Sequence, residues 1–364
     1  MIRKSHGVAL AVLALAASSA FAQSTVKLYG YVDAGLASGQ AAHASGSSKS
    51  VSTISSGNIM TDYFGLAGTD DLGGGLTAGF ALESFLDVSS GQTLGNNGGG
   101  FWGRTSNVYL SGGFGTVTVG QSDNPLFTFG YTYNPFGSSM AFSPTMRHYY
   151  GLYDASASTG GAFHSVSFDT GWVKSVAYAT PTWSGFSGVL QWSPKGTTAT
   201  GSKDSYSLAG TYAQGPLSLS AVYEAAGVEG ITSEYPTQQK VWAIGGSYDF
   251  SVVKVFAQYA QDKNETTNAL TGTLLDNLGK SKIWQLGVSV PVGPSGSVLA
   301  SYGQDKFDPT SGGVTPKDKV LSLGYTYTLS KRTTLFAMYA HDSQSDTVNT
   351  KAGNLVTFGL GTNF

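Results

Sequence analysis

The stretch "LVTFGLGTNF" (355–364) decides the fold. Val356, Phe358, Leu360 and Phe364 fall on one two-residue rhythm, with Thr362 the exception, and Thr357, Gly359, Gly361 and Asn363 lie between them. Side chains of a strand alternate between its two faces, so this decapeptide has one oily face and one small, polar face. Such a strand suits half of a soluble sandwich or the wall of a membrane cylinder. The rest of the chain separates the two.

The same rhythm recurs. In "IWQLGVSV" (283–290) Trp284, Leu286, Val288 and Val290 oppose Gln285, Gly287 and Ser289; in "LSLGYTYTL" (321–329) leucines and tyrosines oppose Ser322, Gly324, Thr326 and Thr328. "VKLYGYVDAGL" (26–36) sets Leu28, Val32, Ala34 and Leu36 against Lys27, Tyr29, Tyr31 and Asp33. Sixteen such strands are predicted, near 26–36, 58–68, 76–87, 104–111, 116–121, 172–180, 186–193, 204–213, 217–225, 239–249, 253–261, 282–290, 297–304, 319–329, 333–341 and 355–364. Their connections alternate between short ones, such as "GGFG" (112–115), "QGP" (214–216) and "SKR" (330–332), and long ones, such as 38–57, 88–103, 262–281 and 342–354. Tight turns at one end and long loops at the other are the arrangement of an outer-membrane barrel. A chain that starts and ends on the turn side has an even strand count.

Composition agrees. Arg3, Lys4 and His6 precede the apolar "GVALAVLALAA" (7–17) and the small-x-small "AFA" (20–22), which reads as a signal peptide over 1–22 cleaved between Ala22 and Gln23. The remaining chain carries 18 Lys and Arg against 22 Asp and Glu, a net charge of −4, with no basic patch for nucleic acid. It has no cysteine, so disulfides and thiolate metal sites are excluded. Only 12% of residues are charged, half the roughly 25% of soluble domains. Beyond the leader no apolar run approaches the roughly 20 residues of a membrane helix. An exported chain of this kind closes its strands into a membrane barrel, because an open sheet edge does not survive in hydrocarbon. The expected fold is therefore all-β: one transmembrane antiparallel β-barrel of about 16 strands over 23–364, its last strand pairing with its first.

One connection breaks the pattern. Residues 122–171 form a segment far beyond ordinary loop length, with Phe127, Phe129, Tyr131, Tyr133, Phe136, Phe142, Tyr149 and Tyr150 crowded into it. Rings in that number are costly to leave in water, so the segment is expected to fold inward and pack in the bore. An external cap or an oligomer contact is the alternative.

The chain resembles the general porins of the Gram-negative outer membrane, of the betaproteobacterial type. The resemblance rests on "VKLYGYVDAGL", "SSGN" (55–58), "FGLAGTDDLGGGLTAGFALES" (64–84), "GRTSNVYLSGGFGTVTVGQSDNP" (103–125), "LSKRTTLFAMYA" (329–340) and the final Phe364. It implies a homotrimer in the cell outer membrane, in contact with membrane lipid and lipopolysaccharide. It also implies a constriction formed by the third loop, and a terminal aromatic, Phe364, read by the barrel-assembly machinery. Small hydrophilic solutes and ions are the expected cargo.

A passive pore has no catalytic residue and needs no cofactor; its chemistry is the size and field of its narrowest ring. The family's ladder of wall cations is depleted here. Tyr63, Ala67 and Gln121 stand where basic residues are usual, while Arg104 and the wall carboxylate Glu83 match. The candidate lining is completed by Asp123, Phe136 of the tip "NPFGSS" (134–139), Arg147, His148 and Lys174. With so few cations the eyelet is expected to be weakly charge-selective.

Other constellations fail. "GGGFWG" (98–103) has the glycine spacing of a dinucleotide loop but no following helix. His43, His148, His164 and His341 lack metal-ligand spacing, and no G-x-S-x-G is present. Alternatives to the diffusion channel are a substrate-selective pore with an aromatic-lined eyelet, a barrel enzyme and an adhesin without a lumen. Saturable flux would mark the first, a Ser/His or Asp/His pair at the membrane edge the second, and absence of conductance the third.

Overall fold

Large apolar side chains lie outside and polar ones are buried, the inverse of a water-soluble protein. In the computed structural model Leu286 is 57% exposed and Phe358 60%, while Gln285, on the other face of the same strand as Leu286, is 1% exposed. The alternation read from the sequence is thus an oily exterior around a polar interior. Residues 25–40, 50–93, 100–150, 171–195, 203–228, 237–267, 274–310, 312, 315–345 and 352–364 are described. The signal peptide expected over 1–22 with its Ala22–Gln23 boundary, His43, His164 and positions 151–170 of the long loop lie outside them.

Among the described residues sixteen barrel strands result. They are β1 (Thr25–Gln40), β2 in two pieces (Val51–Ser56 and Tyr63–Gly73), β3 (Leu76–Asp87), β4 (Thr105–Gly112), β5 (Gly115–Asp123), β6 (Gly171–Ala179), β7 (Phe186–Ser193) and β8 (Ser205–Gln214). There follow β9 (Leu217–Val228), β10 (Thr237–Asp249), β11 (Lys254–Thr267), β12 (Leu274–Val292), β13 (Gly296–Pro309), β14 (Lys317–Thr328), β15 (Thr333–Ser345) and β16 (Gly353–Asn363). A two-residue ribbon, Gln92–Thr93, pairs with the end of β3 outside the wall. Every neighbour is antiparallel. β16 closes on β1 from Tyr31↔Asn363 to Gln40↔Asn354, which leaves the cylinder without an edge.

Two expectations are corrected. The second strand, expected over 58–68, begins at Val51 and is interrupted at Gly57–Asp62. Its upper piece pairs Ala34↔Ser56 to Gly39↔Val51 and its lower piece Thr25↔Thr69 to Tyr31↔Tyr63, both against β1. The strands of the second half also outrun their predicted ends on the loop side; β12 reaches 19 residues, beyond the roughly 9–11 a membrane demands. There the ladder continues in polar residues. Lys240 pairs with Glu265 (2.6 Å), and Lys282 and Lys306 both reach Asp308 (2.9 Å). Above the apolar band water wets both faces, so the two-residue rhythm fades although the strands do not.

Among the described residues the helices are two short ones, α1 (Pro125–Thr132) and α2 (Pro144–Tyr150), both in the long loop. Neither is long and apolar enough to cross a membrane; the strands do that.

Candidate functional site: the constricted lumen

The inward segment is built by local capping. Asn124 accepts from the Phe127 amide (2.8 Å) with Pro125 at the first helical position, a standard start for α1. Asn134 then folds the tip: its amide donates to the Gly130 and Gly137 carbonyls (2.7 and 2.9 Å) and its carbonyl accepts from Phe136 N (2.8 Å). Gly137 takes φ +53°, the left-handed conformation that favours glycine. The Ser143 hydroxyl accepts from Met146 N (3.2 Å) to start α2.

This segment lies inside the cylinder, flat against one wall. Leu126, Phe129, Tyr133, Met146, Tyr149 and Tyr150 pack on Val222, Val241, Ala243, Ala260 and Ile283 of β9–β12. Phe136 and Phe142 pack on Leu299, Phe336, Met338 and Ala340 of β13 and β15. Polar bonds fix its height. Gln258 donates to the Gly130 and Tyr133 carbonyls (3.3 and 3.1 Å), and Gln285 accepts from Thr145 N (2.8 Å) and its hydroxyl. Burial pushes the Tyr149 hydroxyl pKa up, helped by the Asp262 carboxylate, so that ring stays neutral. At the far end Arg147 is ion-paired with Asp342, and His148 Nε2 is 3.9 Å from Asp318.

The interruption of β2 is the segment's second anchor. Asp33 of β1 accepts from Asn58 N (2.8 Å), Asn58 Nδ2 (2.7 Å) and Ile59 N (2.8 Å), and Asp62 accepts from Asp33 N (2.7 Å). The wall there carries a pinned turn instead of a ladder. Ser139 at the loop tip donates to the Asn58 carbonyl (2.6 Å), so loop and turn are fastened together.

On the wall formed by β1 to β4, Tyr29, Tyr63, Glu83 and Arg104 converge. Arg104 is ion-paired with Glu83, and its guanidinium lies 4.0 Å from the centroid of the Tyr63 ring. Glu83 also accepts from the Tyr29 hydroxyl (2.6 Å) and the Thr105 hydroxyl (2.8 Å). The rings of Tyr29 and Tyr63 meet edge to face at 6.1 Å. Positive and negative charge are thus paired within one part-exposed cluster.

The remaining predicted residues sit apart from it. Ala67 lies further along β2, between Lys27 and Ala81. Gln121 shares the parity of the outward Val119 and donates to the carbonyl of Gly103, the residue before Arg104 (2.5 Å). Asp123 ends β5 opposite Gly171. Phe136 is buried with its ring toward the wall, and Lys174 is exposed in a β-bulge at φ +51°. Arg147 and His148 belong to the loop's far anchor. Tyr29, Asp33, Asn58 and Asp342 were absent from the sequence-based candidates. For Tyr29 and Asp33 the signal was there, since both lie on the inward face of β1.

A closed strand cylinder, oily outside and crossed inside by a folded loop, is a transmembrane channel. Comparison with known proteins says of which kind: a model of the Gram-negative porin family matches residues 9–347, and the chain belongs to that family. It is 32% identical over 348 residues to outer membrane porin protein 32 of Delftia acidovorans, covering 93% of this chain and 89% of that one. The anion-selective porin from Comamonas acidovorans superposes with a TM-score of 0.75 at 26% identity, covering 94% of this chain and all of that one. An outer membrane protein of Vibrio cholerae solved in a trimer form is alike in fold alone, with TM-score 0.66, 13% identity, and coverage of 94% of this chain and 99% of that one. The protein is an outer-membrane channel for passive diffusion of small solutes, and not an enzyme.

Proposed function

We propose that solutes and ions pass between the Tyr29–Tyr63–Glu83–Arg104 cluster and the inward loop, and that this eyelet is weakly charge-selective. The observation that carries the reading is the pairing of Arg104 with Glu83: a cation held by a carboxylate and stacked on a ring leaves little net field across the gap. The Comamonas relative is anion-selective; here the same preference is expected in weaker form. Planar-bilayer recording under a salt gradient tests this. The permeability ratio of chloride to potassium should lie within about tenfold of unity, since a unit charge acting through water supplies on the order of 1 kcal/mol. A larger ratio in either direction overturns the reading.

The same recording tests assembly. A homotrimer, suggested by the family and by the trimeric Vibrio neighbour, is expected to open in triplet steps. Removal of residues 1–22 on export, contact with lipopolysaccharide, and recognition of Phe364 by the barrel-assembly machinery belong to the same reading. Most loop rings that would form an aromatic slide are turned into the wall, which favours general diffusion over a substrate-selective pore.

A further inference from the structure

Along β12 three successive inward positions, Ile283, Gln285 and Gly287, all meet the loop, and Gly303 of β13 stands beside them. Glycine in a strand interior weakens it and often marks close approach of another backbone. At both positions the approaching group is a proline. A Cβ added at Gly287 would lie 2.5 Å from Pro135 Cδ and 2.8 Å from Pro135 Cγ. One added at Gly303 would lie 2.7 Å from Pro144 Cβ. Two further inward glycines, Gly245 and Gly324, receive the ring edges of Phe129 and Phe136 at 2.9 Å. Those rings can turn aside. A pyrrolidine ring cannot, because its Cδ is bonded to the backbone nitrogen and its φ is locked.

We infer that Gly287 and Gly303 are positioning residues that set how far the inward loop stands off the wall, and therefore the bore of the channel. Pro135 sits at the loop tip and Pro144 opens α2, so the two contacts hold the segment at two separated points. Ordinary carbon–carbon contact lies at about 3.5–4.0 Å, so a methyl at Gly287 moves the tip into the lumen by about 1 Å. The wall pairing itself is untouched, since Gly287 keeps its partners Phe256 and Ser301 in the ladder. The inference rests on the eyelet reading only in taking the loop as the narrow point.

Single-channel conductance of wild type, Gly287→Ala, Pro135→Ala, the double variant and Gly210→Ala tests it. Gly210 faces outward, and a Cβ there meets nothing within 4 Å, so G210A is the neutral strand-glycine control. G287A is expected to lower conductance by about one-fifth or more, because conductance follows the open cross-section, and to exclude large solutes more strongly than potassium. Adding P135A removes the two colliding atoms and should restore the wild-type step, a rescue that general destabilisation of β12 would not show. Should G287A fail to assemble, Gly303→Ala gives an independent reading with the same expected fall. Wild-type steps left unchanged by G287A or G303A, or a loss that P135A does not reverse, overturn the inference. A wild-type protein with no steps overturns the eyelet reading as well.

Discussion

Arg104 shows how one cation can be present at a pore and yet contribute little field. Its charge is countered by Glu83, whose remaining lone pairs accept from Tyr29 and Thr105, and its flat face rests on Tyr63. Removing either partner unbalances the cluster in a known direction. Arg104→Ala leaves the carboxylate and is expected to shift selectivity toward cations; Glu83→Gln leaves the guanidinium and shifts it toward anions. Each change should be several-fold, on the order of 1 kcal/mol for a unit charge about 4 Å from the permeating ion, and the reversal potential reads it directly. Both residues were legible in the sequence as charged candidates. The family resemblance also implied that Glu83 pairs with wall bases, so mutual neutralisation with Arg104 was an expected arrangement; strand alternation alone did not fix it, because Arg104 precedes the first residue of β4 and the alternation does not say where its side chain turns.

Two of the anchors on the described part of the long loop differ in chemistry. Its tip is fastened to the β2 interruption by one neutral hydrogen bond from Ser139, and its far end by the Arg147–Asp342 ion pair. Both members of that pair are largely shielded from solvent, each side chain 9% exposed. Truncating one member leaves the other charge buried, which costs about 3–5 kcal/mol where the burial is complete. Arg147→Ala is therefore expected to loosen α2, lowering the temperature at which the folded band is lost in heat-modification gels and adding flicker to the open current. An unaltered melting temperature and a quiet trace would show that the apolar contacts of α2 suffice alone. The break in β2 escaped the sequence reading for a physical reason. Residues 57–62, "GNIMTD", carry Ile59 and Met60 and read as the opening of a strand, and it is Asp33, an acid on a different strand, that pins them as a turn within the wall.

Closure of the cylinder depends on a single seam between the chain's first and last strands. Gly30 N donates to the Phe364 carbonyl (3.3 Å) and Phe364 N to the Gly30 carbonyl (3.2 Å), and the terminal ring lies over Gly30 itself. A Cβ at Gly30 would come within 2.5 Å of both Phe364 Cζ and the Tyr63 carbonyl. Gly30→Val is thus expected to block the seam and to abolish the heat-modifiable folded form, with protease resistance lost in parallel. A fully folded G30V protein would show that the seam tolerates displacement of the terminal residue.

The amino-acid order alone determined the wall. A period of two is a local property of a strand, and the solvent it implies, oil on one face and water on the other, is written into each segment separately. The even strand count followed from the alternation of short and long connections, and family membership from contiguous motifs. The bore was decided only by tertiary structure. Which ring of 122–150 turns to the wall and which glycine receives a proline depend on residues far apart in sequence meeting within a closed cylinder. No short-range pattern encodes those distances.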